Sequence, residues 1–237
     1  MARVVVLSGA GLSAQSGIST FRDSNGLWEN HDLKVVCDAS SMYDNKDETI
    51  EFYDKRRKDI EHKQPNHAHK VLAKLKKQYP NDIALITQNV DDLFEKAGLS
   101  EDEIIHLHGY LPQIKCLNEN CSNIQDIKYD SLYTYNNGIC ELCGSTIRPN
   151  IVFFGEQAPK YEELNEHIQN CEMLVVIGTS GNVIGVNTMA NFVEVSILNN
   201  LEPSEAIYDE LFTKVLYDKT TNVIDEIANN IRMFINE

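Results

Sequence analysis

Residues 7–22 read LSGAGLSAQSGISTFR, directly after Arg3-Val4-Val5-Val6, a short β-branched run of the kind that forms a buried strand. A glycine-rich loop following a strand is where backbone N–H groups can meet a phosphate. The spacing is not that of the dinucleotide fingerprint G-x-G-x-x-G. Gly9-Ala10-Gly11 is followed by Leu12-Ser13-Ala14, and the next glycine is Gly17. Nor does an acidic residue stand at the end of a second strand to hold an adenine ribose, so an ordinary dehydrogenase is a poor fit.

The rest of the chain alternates between strand-like and helical stretches. Ser13 to Gly17 reads as the start of a helix, and residues 20–32, TFRDSNGLWENHD, as a long, partly mobile loop. Residues 47–64 read as a charged helix with Ile50, Tyr53 and Ile60 to one side. In HAHKVLAKLKKQY, opened by Pro65-Asn66, Ala68, Val71, Leu72 and Leu75 recur at helical spacing, and Lys74, Lys76 and Lys77 face out. Ile83–Ile86, EIIHLHG at 103–109, PNIVFFGE, MLVVIGTSGNV and VSILNNLEPS are further strand candidates. A helix is expected over 160–170, and TTNVIDEIANNIRMFI is an amphipathic helix. Polar and glycine residues collect just after the strands. That is the pattern of a Rossmann-like open parallel α/β sheet with helices on both faces and ligands at the strands' carboxyl ends. Residues 1–30, 80–111 and 150–237 form its large part. A helical insertion over 31–79 and a cysteine-containing module over 112–149 form a small one.

The 237 residues are 42% hydrophobic with a net charge of −15, which supports a folded core and disfavours duplex DNA as a partner. No apolar window is long enough to span a membrane and no signal peptide is visible, so the expected place of work is the cytoplasm. Six cysteines are present. Cys116 and Cys121 are separated by four residues, Cys140 and Cys143 by two, with eighteen between the pairs. Without a secretion signal this spacing points to a four-thiolate zinc site, closed and therefore structural. Cys37 and Cys171 stand alone and read as buried small hydrophobes.

In TQNVDDL, Gln88, Asn89 and Asp91 lie just beyond a strand. Asn89 or Asp91 capping a helix is the competing explanation. In HLHG, His106 and His108 would share a face if the run were a strand, and a histidine at a strand end is an acid–base candidate.

Taken together, GAGLSAQSGISTFRD, GLW, PNHAH, TQNVDDL, HLHG, the two cysteine pairs, VFFGE, GTSGNV and NLEPS resemble the sirtuin family, the NAD-dependent protein-lysine deacylases, in that family's order and over nearly the whole chain. The resemblance implies a single catalytic domain that cleaves the nicotinamide–ribose bond of NAD, yielding free lysine, nicotinamide and O-acyl-ADP-ribose. Gly9, Ala10 and Gly11 would let backbone approach the pyrophosphate, with Ser13 and Ser16 adding hydroxyl donors. Phe21 and Arg22 fall in the cofactor loop, and Trp28 and Val90 count among the cofactor contacts. Gln88, Asn89 and Asp91 would receive nicotinamide and orient the ribose, with Asn89 and Asp91 counted catalytic beside His108, the match to the general base. Gly178, Thr179, Ser180 and Asn200-Leu201-Glu202 match the adenosine-ribose contacts, and Thr220 is assigned to the adenine. Val152 and Phe153 match the strand on which a substrate peptide adds its own backbone.

A subgroup of the family carries Tyr-x-x-Arg where this chain has Tyr53 and Arg56, and accepts succinyl- and malonyl-lysine because the arginine and the tyrosine hydroxyl bind the terminal carboxylate, which the resemblance implies here. The competing explanation is that Arg56 and Arg57 belong to a solvated charged helix. The partner expected is an acylated lysine peptide, with no nucleic acid or membrane, and a monomer is favoured. Departures from the family are Ser19, where proline is common, a short run after residue 182, and YDKTT near the adenine. A NAD hydrolase or ADP-ribosyltransferase on the same frame, and a non-catalytic NAD-binding module, are the rivals.

Overall fold

A computed structural model describes residues 2–20 and 33–237. Its elements are β1 (Val4–Ser8), α1 (Ala10–Ala14), α2 (Leu33–Val36), α3 (Ser41–Asp44), α4 (Lys46–Ile60), α5 (His67–Gln78), β2 (Ile83–Thr87), α6 (Leu93–Lys96), β3 (Ile104–His106), β4 (Gly109–Cys116), β5 (Ile124–Asp126), β6 (Ile147–Ile151), α7 (Tyr161–Gln169), β7 (Met173–Ile177), α8 (Val186–Ala190), β8 (Val195–Asn200), β9 (Lys214–Tyr217) and α9 (Thr220–Asn236). Among the described residues no helix is long and apolar enough to cross a membrane.

The hydrophobic runs of β1, β2 and β7 carry no polar alternation because both faces of their sheet are covered. Successive residues of a strand point to opposite faces. Val4, Val6, Leu85 and Val175 bury against α5 and α9, whereas Val5, Leu7, Ile86 and Val176 bury with Leu164 and Ile168 of α7 and Val186 and Ala190 of α8. The sheet is parallel throughout, in the order β3-β2-β1-β7-β8-β9. Numbered within the sheet that order is 3-2-1-4-5-6, the doubly wound order of the Rossmann fold. α5 starts where Pro65-Asn66 predicts: the Asn66 side chain accepts from the N–H groups of Ala68 and His69 and donates to the Leu12 carbonyl at 2.8 Å, tying the helix to α1.

A third core joins α2–α4 to an antiparallel sheet of order β5-β4-β6. Val36, Ile50 and Phe52 meet Leu111, Ile114 and Ile147 there. Four readings change. The first helix begins at Ala10, three residues earlier than expected, with Gly9 as its cap. The strand in PNIVFFGE closes at Ile151 and belongs to the antiparallel sheet. Lys76 folds back to donate to the Pro80 and Ile83 carbonyls instead of facing solvent. β9, whose residues are half-buried or, at Tyr217, exposed, had no apolar signature to announce it.

Candidate active site

A cavity of about 1150 Å³ lies between the carboxyl ends of the parallel strands and the third core. Its wall contains the loops after β1, β2, β7 and β8 and the inward side of α4. At the centre the loops after β1 and β7 lock together. Gly9 donates its N–H to the Ile177 carbonyl at 2.8 Å and Gly11 donates to the Gly178 carbonyl at 2.9 Å. A Cβ on Gly11 would stand 2.7 Å from the Gly178 Cα, and Gly178 itself has φ +63°. Close chain contact thus explains these glycines. Gly9, Ala10 and Gly11 line the cavity, but the Gly9 and Gly11 N–H groups are already spent and do not point at a phosphate.

Ser13 is the hub of the polar network. It donates to Asp91 Oδ2 at 2.8 Å and accepts from Asn89 Nδ2 at 3.0 Å, while His69 Nε2 approaches to 3.5 Å. Asn89 Nδ2 also donates to the Gly9 carbonyl at 3.1 Å. The cap position of α6 is Asp92, but Asp91, one residue earlier, accepts from the Leu93 N–H at 3.2 Å, so it serves the helix start while lining the cavity. Burial raises its pKa, against the Ser13 hydroxyl, the Leu93 N–H and the charge of His106. Gln88 donates to Thr179 Oγ1 at 3.1 Å. Val90 stands on the same wall.

The two histidines part company. The strand ends at His106, so no shared strand face exists. His106 is held by the Asn89 carbonyl at 3.0 Å and Glu95 Oε1 at 2.8 Å, off the cavity wall. His108 lines the cavity, with Nδ1 3.1 Å from the Gln88 carbonyl and Nε2 3.0 Å from the Tyr161 hydroxyl. Burial lowers its pKa, so the ring is a neutral base near pH 7.

Gly178, Thr179, Ser180, Asn200, Leu201, Glu202 and Thr220 also line the cavity. Asn200 Nδ2 donates to the Thr179 carbonyl at 2.9 Å, fixing one loop on the other. Asp218 and Lys219 join that wall although no pattern singled them out.

Tyr53 and Arg56 line the cavity too, with Cys37 and Phe153. Tyr53 stacks on Phe153 with ring centroids 5.6 Å apart and donates its hydroxyl to Cys37 Sγ at 3.4 Å. Burial raises the Tyr53 and Cys37 pKa values and lowers that of Arg56. Neither arginine is solvated: Arg56 is 9% exposed and Arg57 0%. Arg57 donates to the Leu111 carbonyl and pairs with Asp54. Cys37 is therefore a wall residue as well as a buried one, and only its contact with Tyr53 could have revealed that.

Val152 and Phe153 lie just beyond the end of β6 at Ile151. Val152 N–H donates to the His108 carbonyl at 2.9 Å, and Phe153 N–H to Glu156 Oε2 at 2.9 Å. Both residues line the cavity, but an incoming peptide strand finds neither donor free. Ser16 lies off the cavity wall, and among the described residues its buried hydroxyl has no partner. Phe21, Arg22 and Trp28 lie outside the described residues.

The sulfurs of Cys116, Cys121, Cys140 and Cys143 lie within 4.8 Å of one another. Cys116 and Cys143 are 3.4 Å apart, Cys121 and Cys140 3.7 Å. A tetrahedral zinc with ~2.3 Å bonds to sulfur needs sulfur separations of ~3.8 Å, so the group fits. Asn123 donates to Cys140 Sγ at 3.2 Å, the kind of outer contact that orients a thiolate ligand. None of the four lines the cavity, which leaves a zinc here holding structure.

Comparison with known proteins agrees with this geometry. The Sir2 family model matches residues 9–185. An NAD-dependent protein deacylase of Campylobacter jejuni (strain RM1221) is 41% identical over 238 residues, 100% of this chain and 99% of that protein. One from Helicobacter hepaticus is 40% identical, covering 99% of each. Among solved structures, a mutant Sir2 homologue in complex with ADP-ribose gives a TM-score of 0.84 at 29% identity, over 98% of this chain and 93% of that one. A Sir2 homologue–NAD complex gives 0.82 at 30% identity, over 97% and 89%.

Proposed function

Because this chain belongs to the Sir2 family, we propose that it is an NAD-dependent protein-lysine deacylase whose cleft takes NAD and an acylated lysine together, and that it removes succinyl and malonyl groups beside acetyl. The relatives named as NAD-dependent protein deacylases, and the neighbours bound to ADP-ribose and NAD, support the first part. NAD supplies the chemistry as a co-substrate: its nicotinamide–ribose bond breaks, and the ADP-ribose portion receives the acyl group.

The residues of this chain have separable tasks. Asn89 and Asp91, braced on Ser13, orient the ribose beside Gln88. A transition state of this type gains more from positioning and exclusion of water than from an enzyme nucleophile. Once nicotinamide has left, His108 takes a proton from a ribose hydroxyl at Nε2. The single observation that carries the reading is this ring: the Gln88 carbonyl at Nδ1 leaves the lone pair on Nε2 of a histidine that lines the cavity, beside the Tyr161 hydroxyl. Thr179, Asn200 and Thr220 would hold the adenosine end.

Acyl preference rests on Tyr53 and Arg56. A guanidinium buried on a cavity wall is matched by a carboxylate through two parallel hydrogen bonds. Purified protein with NAD and acetyl-, succinyl- or unmodified lysine peptides, followed by mass spectrometry, tests both parts. The expected result is NAD-dependent desuccinylation that disappears in Arg56→Met while deacetylation survives, with both lost in His108→Ala. Nicotinamide release that is equal with all three peptides, with no acyl group moved, would mean a NAD hydrolase or ADP-ribosyltransferase instead.

A further inference from the structure

The His108 ring is held at both nitrogens. The Gln88 carbonyl oxygen, 3.1 Å from Nδ1, can only accept, so the proton sits on Nδ1 and Nε2 carries the lone pair. Nε2 lies 3.0 Å from the Tyr161 hydroxyl, which must then donate to it. Tyr161 is the first residue of α7, and its ring packs against the core that buries Leu164 and Ile168 three and seven positions on. One helical stripe thus fixes both the helix and the tyrosine. The two rings are 6.0 Å apart with planes at 43°. The same lone pair is the one the deacylase reading assigns to the ribose proton.

We infer that Tyr161 is a positioning residue for the base: its hydroxyl holds His108 by Nε2 in the resting cleft and gives that atom up when a ribose hydroxyl arrives. The ring is thereby kept in one orientation and one tautomer before the substrate binds. When the proton moves from the ribose oxygen to Nε2, the ring becomes an imidazolium, with its Nδ1–H still on Gln88. Other titratable groups face the cavity, including Asp91, Arg56, Tyr53, Glu156, Glu162 and Asp218. Among the described residues neither ring nitrogen has a hydrogen bond to any of them. Burial lowers the ring's pKa, against the Gln88 carbonyl, and a hydroxyl that donates to the neutral form acts in the direction of burial.

Tyr161→Phe keeps the ring packing and removes only the donor. The His108 titration is read by nitrogen-15 NMR, which needs no activity. Loss of one hydrogen bond to the neutral ring should raise its proton affinity about fivefold, ~0.7 pH unit. Tyr161→Met, which lacks both ring and donor, should shift it the same way. The kinetic arm rests on the deacylase reading. There the acidic limb of deacylation should move up by the same amount, while nicotinamide exchange, complete before the base is needed, keeps its rate. An unmoved titration midpoint in the folded Tyr161→Phe protein overturns the inference whatever the activity. So does an equal fall of exchange and deacylation with the limb in place, since that is what a purely structural tyrosine would give. A shifted midpoint in a protein without deacylase activity sinks the functional reading and leaves this one standing.

Discussion

His106 should make the protein less stable as pH rises, and Glu95→Gln should abolish that dependence. The Asn89 carbonyl and the Glu95 carboxylate both accept, at 3.0 and 2.8 Å, so both ring nitrogens must donate and the ring is an imidazolium. Burial alone would lower its pKa, but the hydrogen bond and charge of Glu95, the Asn89 carbonyl and the charge of Asp91 outweigh it and raise the pKa. A raised folded-state pKa means that the native protein binds a proton the unfolded chain has released. The stabilisation is fully present below the unfolded value of ~6.5 and is lost as pH climbs through the folded one. The slope is at most ~1.4 kcal/mol per pH unit, or roughly 3–5 °C in Tm for a chain of this size. In Glu95→Gln a neutral ring keeps both bonds: Nδ1 still donates to Asn89, and the new amide donates to Nε2. Thermal or urea unfolding of wild type and variant between pH 6 and 9 should therefore show curves that converge or cross as pH rises. A stability difference that stays constant across that range would show that His106 is not the proton-binding group. The loss also matters to the cleft, because His106 holds the backbone of Asn89, whose side chain braces Ser13 and Gly9.

Other outcomes are equally specific. Gly11→Ala places a Cβ 2.7 Å from the Gly178 Cα, and the strain should cost about 1–3 kcal/mol in unfolding experiments; a change below ~0.5 kcal/mol would contradict the close-contact explanation. Metal analysis should find one zinc per chain, lost in Cys140→Ser, with circular dichroism and thermal scans reporting collapse of the β4-β5-β6 sheet. A metal-free protein that melts like the wild type would remove the structural role. Asp54→Ala strips the carboxylate from the fully buried Arg57 guanidinium and should cost about 3–5 kcal/mol, against ~0–1 kcal/mol for the exposed pair Lys55–Glu51; equal effects would show that burial does not govern these pairs.

The sheet was legible because its strands are buried on both faces and stand in the chain as unbroken runs such as VVVLS and MLVVI. α9 was legible for the opposite reason: its apolar residues recur on one stripe, ending in Ile224, Ile227, Ala228 and Ile231 against the sheet. The strand ends carried the site, since Asn89, Asp91 and His108 are polar residues where a buried run stops. What escaped was set by partners remote in sequence. Nothing around Tyr161 says that it meets His108, 53 positions away. Nothing in KVLY separates a half-buried edge strand from a loop. The glycines of the first loop were recognised as a backbone requirement, and the contact within the chain that makes them necessary, the close approach of Gly178, lies 167 positions from Gly11.

The position of the cleft follows from the strand order. β1 and β7 are neighbours, yet the chain leaves β1 for β2 on one side and returns through β7 to β8 on the other. Loops leaving their carboxyl ends therefore diverge, and the crevice between them is where open α/β sheets bind ligands. Both insertions leave from that same edge: α2–α4 follow α1 beyond β1, and the β4-β5-β6 sheet follows β3. They can bury their apolar faces only against one another, and they do so in the third core. The lobe so formed must stand over the crevice, which brings Tyr53 and Arg56 of α4 onto one wall with His108 of the loop after β3. Side chains more than fifty positions apart in the chain thus share a cavity because both insertions follow the carboxyl ends of strands in the same sheet.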